Sequence, residues 1–169
     1  MSTPVLLVQE LSVTLRLGRQ TLTAVDGVSF DLRAGEVLAL VGESGCGKTK
    51  TAEALMGLVP PGLGSVRAKR IDLGGKDLAV LGESAMRRIR GREISMVFQE
   101  PLTALDPVFR AGQQLASVLR RHRRCGRAEA RTASLDMLAR VGIADPERVL
   151  DSFPHELSGG MRQRVIIAM

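Results

Sequence analysis

The stretch VGESGCGKTKT at residues 41–51 constrains this chain more than any other. Gly42 is followed, after four residues, by Gly47, Lys48 and Thr49, the spacing of a loop that wraps the phosphates of a nucleotide. Glycines let backbone N–H groups turn inward at phosphate oxygens. The Lys48 ammonium can reach the β and γ phosphates, and the Thr49 hydroxyl can ligate Mg²⁺. The flanks fit: Val37, Leu38, Ala39, Leu40 and Val41 form a continuous apolar run, as in a parallel strand buried on both faces. Ala52, Leu55, Met56 and Val59 recur at helical spacing, which predicts a helix from near Lys48 to the break at Pro60 and Pro61. Strand, loop and helix in that order put the positive end of the helix dipole under the phosphates.

Before this stretch, Leu11, Val13, Leu15 and Leu17 alternate with Ser12, Thr14 and Arg16, and Gly18 closes the run. Val28, Phe30 and Leu32 alternate in the same way with Ser29, Asp31 and Arg33. Two half-buried strands here predict an antiparallel layer against a parallel core. After it, residues 65–73 return as a strand, Gly74 and Gly75 turn it, and Glu83 to Arg90 form a short basic helix capped by Gly91. Residues 94–98, ISMVF, read as a second core strand that delivers Gln99 at its carboxyl end, where ligands collect in α/β sheets. Two helices follow. One carries Leu115, Val118, Leu119 and His122 on one face, with His122 a helix-end residue; the other runs from about Ala128 to Val141 and stops at Gly142.

The segment HELSGGMRQR at residues 155–164 is the second strong pattern. Ser158 is a good N-cap, and Gly159 and Gly160 expose backbone N–H groups at a helix start, a ready anion site. Arg162 and Arg164 fall in the first turns, where their charge opposes the dipole, and a nearby negative ligand or partner would account for them.

The 169 residues suffice for one domain with a core, and no apolar run approaches the length needed to cross a bilayer. The amino terminus lacks the pattern of a signal peptide. Two cysteines, Cys46 and Cys125, make neither a disulfide framework nor a metal site. A net charge of +6 raises nucleic acid or an anionic surface as partners. With no Trp, no Tyr and four Phe there is no platform on which bases stack, so no nucleic acid is expected; solvated faces, some turned toward a membrane or an acidic partner, fit the arginine clusters better.

Taken together, these motifs resemble the nucleotide-binding domain of ATP-binding cassette (ABC) transporters, over nearly the whole chain. The Walker A loop matches residues 42–49, the Q-loop glutamine matches Gln99, and the LSGGQ signature matches residues 157–161 with Met161 in place of glutamine. GESGCGKT, VFQEPLTALDPV and FPHELSGGMRQRV look most like the ATPase subunits of dipeptide and oligopeptide importers, a group that includes nickel and glutathione importers. The resemblance implies an α/β P-loop NTPase fold with an antiparallel β subdomain and an inserted α-helical subdomain, C-terminally incomplete. It divides the chain into a β subdomain with P-loop core at 1–99, a helical subdomain at 100–157 and the signature helix at 158–169.

The resemblance also implies the site. ATP phosphates fall to Gly42, Glu43, Ser44, Gly45, Cys46, Gly47, Lys48, Thr49 and Lys50. Mg²⁺ falls to Thr49 and Gln99, with Gln99 also sensing the attacking water. Ser158, Gly159 and Gly160 cover ATP held by a second ATPase subunit, identical or not, and the helical subdomain docks transmembrane permease subunits. The location implied is peripheral, on the cytoplasmic face of the membrane. Three departures matter. The 169 residues contain no Walker B aspartate, catalytic glutamate or switch histidine, so hydrolysis is expected only of a longer product. A non-catalytic fragment that pairs with an intact subunit is the alternative. The region of residues 15–19 has no aromatic for adenine, leaving Leu15 or Arg16 to pack on the ring. Lys50 adds charge beside Thr49.

Overall fold

The structure, a computed structural model, describes residues 3–98 and 104–169. The chain divides into two compact units, Met1–Met96 and Val97–Met169.

The first unit is built on one long strand, β1 (Leu6–Leu17). It pairs antiparallel with β2 (Gln20–Leu32) along one edge. Along the other edge its second half takes β3 (Gly64–Arg67) and its first half takes β4 (Arg70–Leu73). The expected strand at 65–73 is thus two strands sharing one partner. Apolar residues of β1 change phase, from Leu6 and Val8 to Leu11 and Val13, yet Val8, Leu11 and Val13 are all fully buried. A bulge reconciles them: the β1–β2 register shifts between Val8 and Leu11, and Glu10 takes a positive φ of 52°. Its N–H, taken out of the ladder, donates to Ser29 Oγ at 2.8 Å. Each fully buried aliphatic side chain here is worth about 1.5–3 kcal/mol.

Helix α1 (Lys48–Leu55) covers this sheet with Thr51, Ala54 and Leu55 buried. It ends before the prolines. Gly57 at φ 61° allows a left-handed cap in which Leu58 N–H donates to the Glu53 carbonyl and Gly57 N–H to that of Ala54. Arg90, at the end of α2 (Glu83–Ile89), donates to the Met56 and Gly57 carbonyls at 2.7 and 3.0 Å. The same guanidinium grips Glu83, so α2 is tied to the last turn of α1 by one side chain.

β4 turns through Gly74 and Gly75 into β5 (Lys76–Asp77). Asp72 is buried there, accepting from Gly75 N–H at 2.9 Å and from Arg70 at 2.6 Å. Gly75 first and Arg70 second hold its carboxyl below the usual carboxylate range, against the opposing effect of burial. A depressed folded-state value means stabilisation that is complete at neutral pH and lost as pH falls through that lowered value. Asp72→Asn is therefore expected to be less stable than the parent at pH 7, with the gap closing as acidification carries the pH from neutrality down through the lowered carboxyl value. Denaturant titrations across that range measure it; a gap that stays constant with pH would remove the carboxylate from the account.

The second unit is helical: α3 (Ala111–Arg123), α4 (Arg127–Arg140), α5 (Pro146–Asp151) and α6 (Gly159–Ala168). Leu115, Leu138, Val149 and Val165, one from each helix, are buried at its centre. His122 lies in the last turn of α3, the helix-end position expected of it, and is exposed although its spacing puts it on the face of Leu115.

Two expected core strands are absent. Residues 37–41 and 94–98 have no ladder partner among the described residues; only Ile94 forms a single bridge, to Arg90. Val37 is 93% exposed, Val41 88% and Phe98 48%. A strand exists as a hydrogen-bonded ladder, and an apolar run written for burial on two faces needs a neighbour on each side. Neither run finds one among the described residues.

Candidate nucleotide-binding site

The loop that precedes α1 is set by two anchors. At its end, Gly47 has φ 95°, and a Cβ there would collide with the Ala24 carbonyl oxygen and lie 3.2 Å from Val25 Cγ2. The loop therefore presses its last glycine directly on β2, an approach that only a residue without a side chain makes. Thr51 then donates to the Gly47 carbonyl through both N–H (2.8 Å) and hydroxyl (3.0 Å), fastening the loop to the first turn of the helix.

The second anchor is Lys48. Its ammonium donates to the carbonyls of Gly42 at 2.8 Å and Glu43 at 2.7 Å, and lies 3.4 Å from Cys46 Sγ. The lysine thus spans the loop from the helix end back to its beginning. Cys46 N–H closes a turn onto the Glu43 carbonyl at 3.3 Å. Ser44, Gly45 and Thr49 are exposed. Positive φ values at Gly45 and Gly47 alternate with ordinary ones, the backbone pattern that turns successive N–H groups toward one anion. A cradle with one ammonium beside it and a helix amino terminus at its base suits a phosphate group.

Lys50, expected to add charge, is engaged elsewhere: its ammonium sits 2.6 Å from Glu53 on the same helix. Leu15 turns into the core of the sheet, which leaves exposed Arg16 as the side chain available to a base. Gln99 lies outside the described residues.

In the second unit Ser158 caps α6, its hydroxyl accepting from Met161 N–H at 3.3 Å. Gly159 and Gly160 are exposed, and a Cβ on either would meet open space. Arg164 needs no anion to explain it, whereas Arg162 Nε is buried with no hydrogen-bond partner among the described residues. Arg164 donates to the Gly142 carbonyl beyond the end of α4, and Arg162 to the Pro154 carbonyl at 3.3 Å. Both guanidinium groups cap backbone carbonyls, a use that their place in the first turns of a helix conceals. Among the described residues no cluster of His, Cys, Asp or Glu could hold a metal ion.

A profile of the family described as ABC transporter matches residues 25–169. The chain belongs to the ABC transporter family. Dipeptide transport ATP-binding protein DppD of Bacillus subtilis is 50% identical over 165 residues, covering 98% of this chain and 49% of its own length. Oligopeptide transport ATP-binding protein OppD of the same organism is 43% identical over 167 residues, covering 99% and 47%. The ABC chain described here thus spans about half the length of these curated relatives. Among solved structures, the dimeric MJ0796, a bacterial ABC transporter cassette, superposes with a TM-score of 0.82 at 25% identity, covering 96% of this chain and 67% of its own. The same cassette bound to ADP and Pi gives 0.79 at 24% identity. The fold is that of an ABC ATPase cassette, an α/β P-loop domain present in part. No helix among the described residues is long and apolar enough to cross a membrane.

Cys46 offers a direct probe of the loop. It is exposed and within 3.4 Å of the Lys48 ammonium. Alkylation with N-ethylmaleimide is expected to abolish nucleotide binding, and Mg·ATP to slow the alkylation. Equal rates with and without nucleotide, followed by intact mass, would place the thiol outside the occupied loop.

Proposed function

We propose that this chain is the nucleotide-binding part of an ATP-hydrolysing subunit that powers import of peptides or a related small solute. The observation that carries the reading is the glycine loop fastened to β2 at Gly47 and bridged by Lys48. The names of the similar proteins supply the transport context: dipeptides for DppD and oligopeptides for OppD.

In this reading Gly42, Glu43, Ser44, Gly45, Cys46 and Gly47 hold the phosphates of ATP by their backbone, Lys48 neutralises them, and Thr49 and Gln99 hold Mg²⁺. Lys50 orders the first turn of α1 through Glu53. The bound metal would supply a Lewis acid at the terminal phosphate. Ser158, Gly159 and Gly160 present a capped helix start to the nucleotide of a second ATPase subunit; the dimeric state of MJ0796 supports such a pairing. Permease subunits at the cytoplasmic face of the membrane would receive the motion through the helical unit.

The test is calorimetric titration of the chain with Mg·ATP and with Mg·GTP. Saturable binding of ATP is the expected result. Failure of both nucleotides to bind would overturn the reading. Equal binding of the two would keep the phosphate site and deny base selectivity, as the absence of an aromatic at residues 15–19 leads one to expect.

A further inference from the structure

The helical unit holds a cavity of about 460 Å³ between α3, α4 and the end of α5. Arg110, Arg120, Arg127 and Arg131 line it, and the one carboxylate among its lining residues is Asp151. We propose that this groove binds a phosphate-bearing anion, a site that does not depend on the nucleotide loop.

The electrostatics motivate it. Arg127 and Arg131 stand four residues apart on one face of α4, a repulsive pairing on a helix. Arg127 is also in the first turn of α4, where a cation opposes the helix dipole. Compensation from within the chain is thin. Arg110 is 3.7 Å from Asp151 and Arg131 4.0 Å from Glu147, both exposed and too long for a good hydrogen bond. Among the described residues no carboxylate comes within 4.0 Å of Arg120 or Arg127. An anion in the groove removes the repulsion and meets guanidinium forks whose geometry matches phosphate oxygens in pairs. Four cationic groups call for more than one negative charge, which favours a phosphate over a single carboxylate. Ser117 and Gln113 on α3 add neutral polar groups at the rim.

The whole chain carrying Lys48→Ala, which silences the glycine loop, is titrated with pyrophosphate at about 0.1 M salt. Saturable binding is expected, weakened at least about tenfold in Arg120→Gln/Arg127→Gln. Arg121→Gln/Arg123→Gln, which removes equal charge from the same region but outside the groove, should leave it unchanged. Should the first pair fail to fold, Arg120→Lys/Arg127→Lys keeps the charge, loses the forks and should still weaken binding. Sedimentation with phosphatidylglycerol vesicles, and not with phosphatidylcholine, that depends on Arg120 and Arg127 would assign the phosphate to a lipid headgroup and support the site. Absence of both pyrophosphate and vesicle binding, or equal weakening by both glutamine pairs, overturns it.

Discussion

Lys48→Ala is expected to lower affinity for Mg·ATP by about a hundredfold or more, because in the proposed site it deletes a charge-assisted contact to the phosphates that no neighbouring side chain replaces. Lys50 cannot substitute, since Glu53 holds it at 2.6 Å. Folding should change little. The lysine's two bonds to the Gly42 and Glu43 carbonyls are exposed, and their loss costs on the order of 1 kcal/mol. Calorimetric titration and denaturant unfolding on the same protein separate the two effects. Undiminished ATP binding in a folded variant would remove the loop from the nucleotide site. A variant that loses binding only because it unfolds would show itself in the second measurement.

Gly47→Ala should act on both properties at once. A φ of 95° costs an L residue about 1–3 kcal/mol. The added methyl also runs into the Ala24 carbonyl, which is main chain of β2 held between the Val25 and Thr23 pairings with β1 and cannot swing aside as a side chain would. The loop must move, taking with it the carbonyl that Thr51 grips and the origin of Lys48. Nucleotide binding is expected to disappear and the denaturation midpoint to fall. Gly45→Ala is the comparison: its φ is 85°, but a Cβ there meets nothing within 4 Å. It should show the backbone cost alone, and equal losses in the two variants would mean that contact with β2 has no part in shaping the loop.

The residues that make the loop were legible in the sequence, and so was the helix that follows them, because glycine spacing and a 3.6-residue apolar repeat are local properties of the chain. The cap at Ser158, the stop at Gly142 and the hairpin at Gly74 and Gly75 belong to the same class. The bulge at Glu10 is intermediate. The apolar phase changes between Val8 and Leu11, but alternation counted only from Leu11 onward passes over it. Residues 37–41 and 94–98 show the opposite case. Their composition is right for buried strands, yet composition only states what a segment tolerates; a ladder needs partners, and the described residues supply none.

What the sequence by itself determined is the order of chemical parts: a glycine loop with its lysine and threonine, then a capped helix start with two glycines. Tertiary structure alone decided what holds those parts in place. Ala24 lies twenty-odd residues before Gly47, and no local pattern marks its carbonyl as the surface on which the loop ends. Arg90 closing the last turn of α1, and Arg164 capping the carbonyl at Gly142, are equally distant pairs. In the sequence these arginines read as surface charge or as a call for an anion. Folding brought each to carbonyls left open at a helix end, part-buried at Met56, where going without a donor would be costly, and exposed at Gly142, where the guanidinium adds a charge-assisted bond.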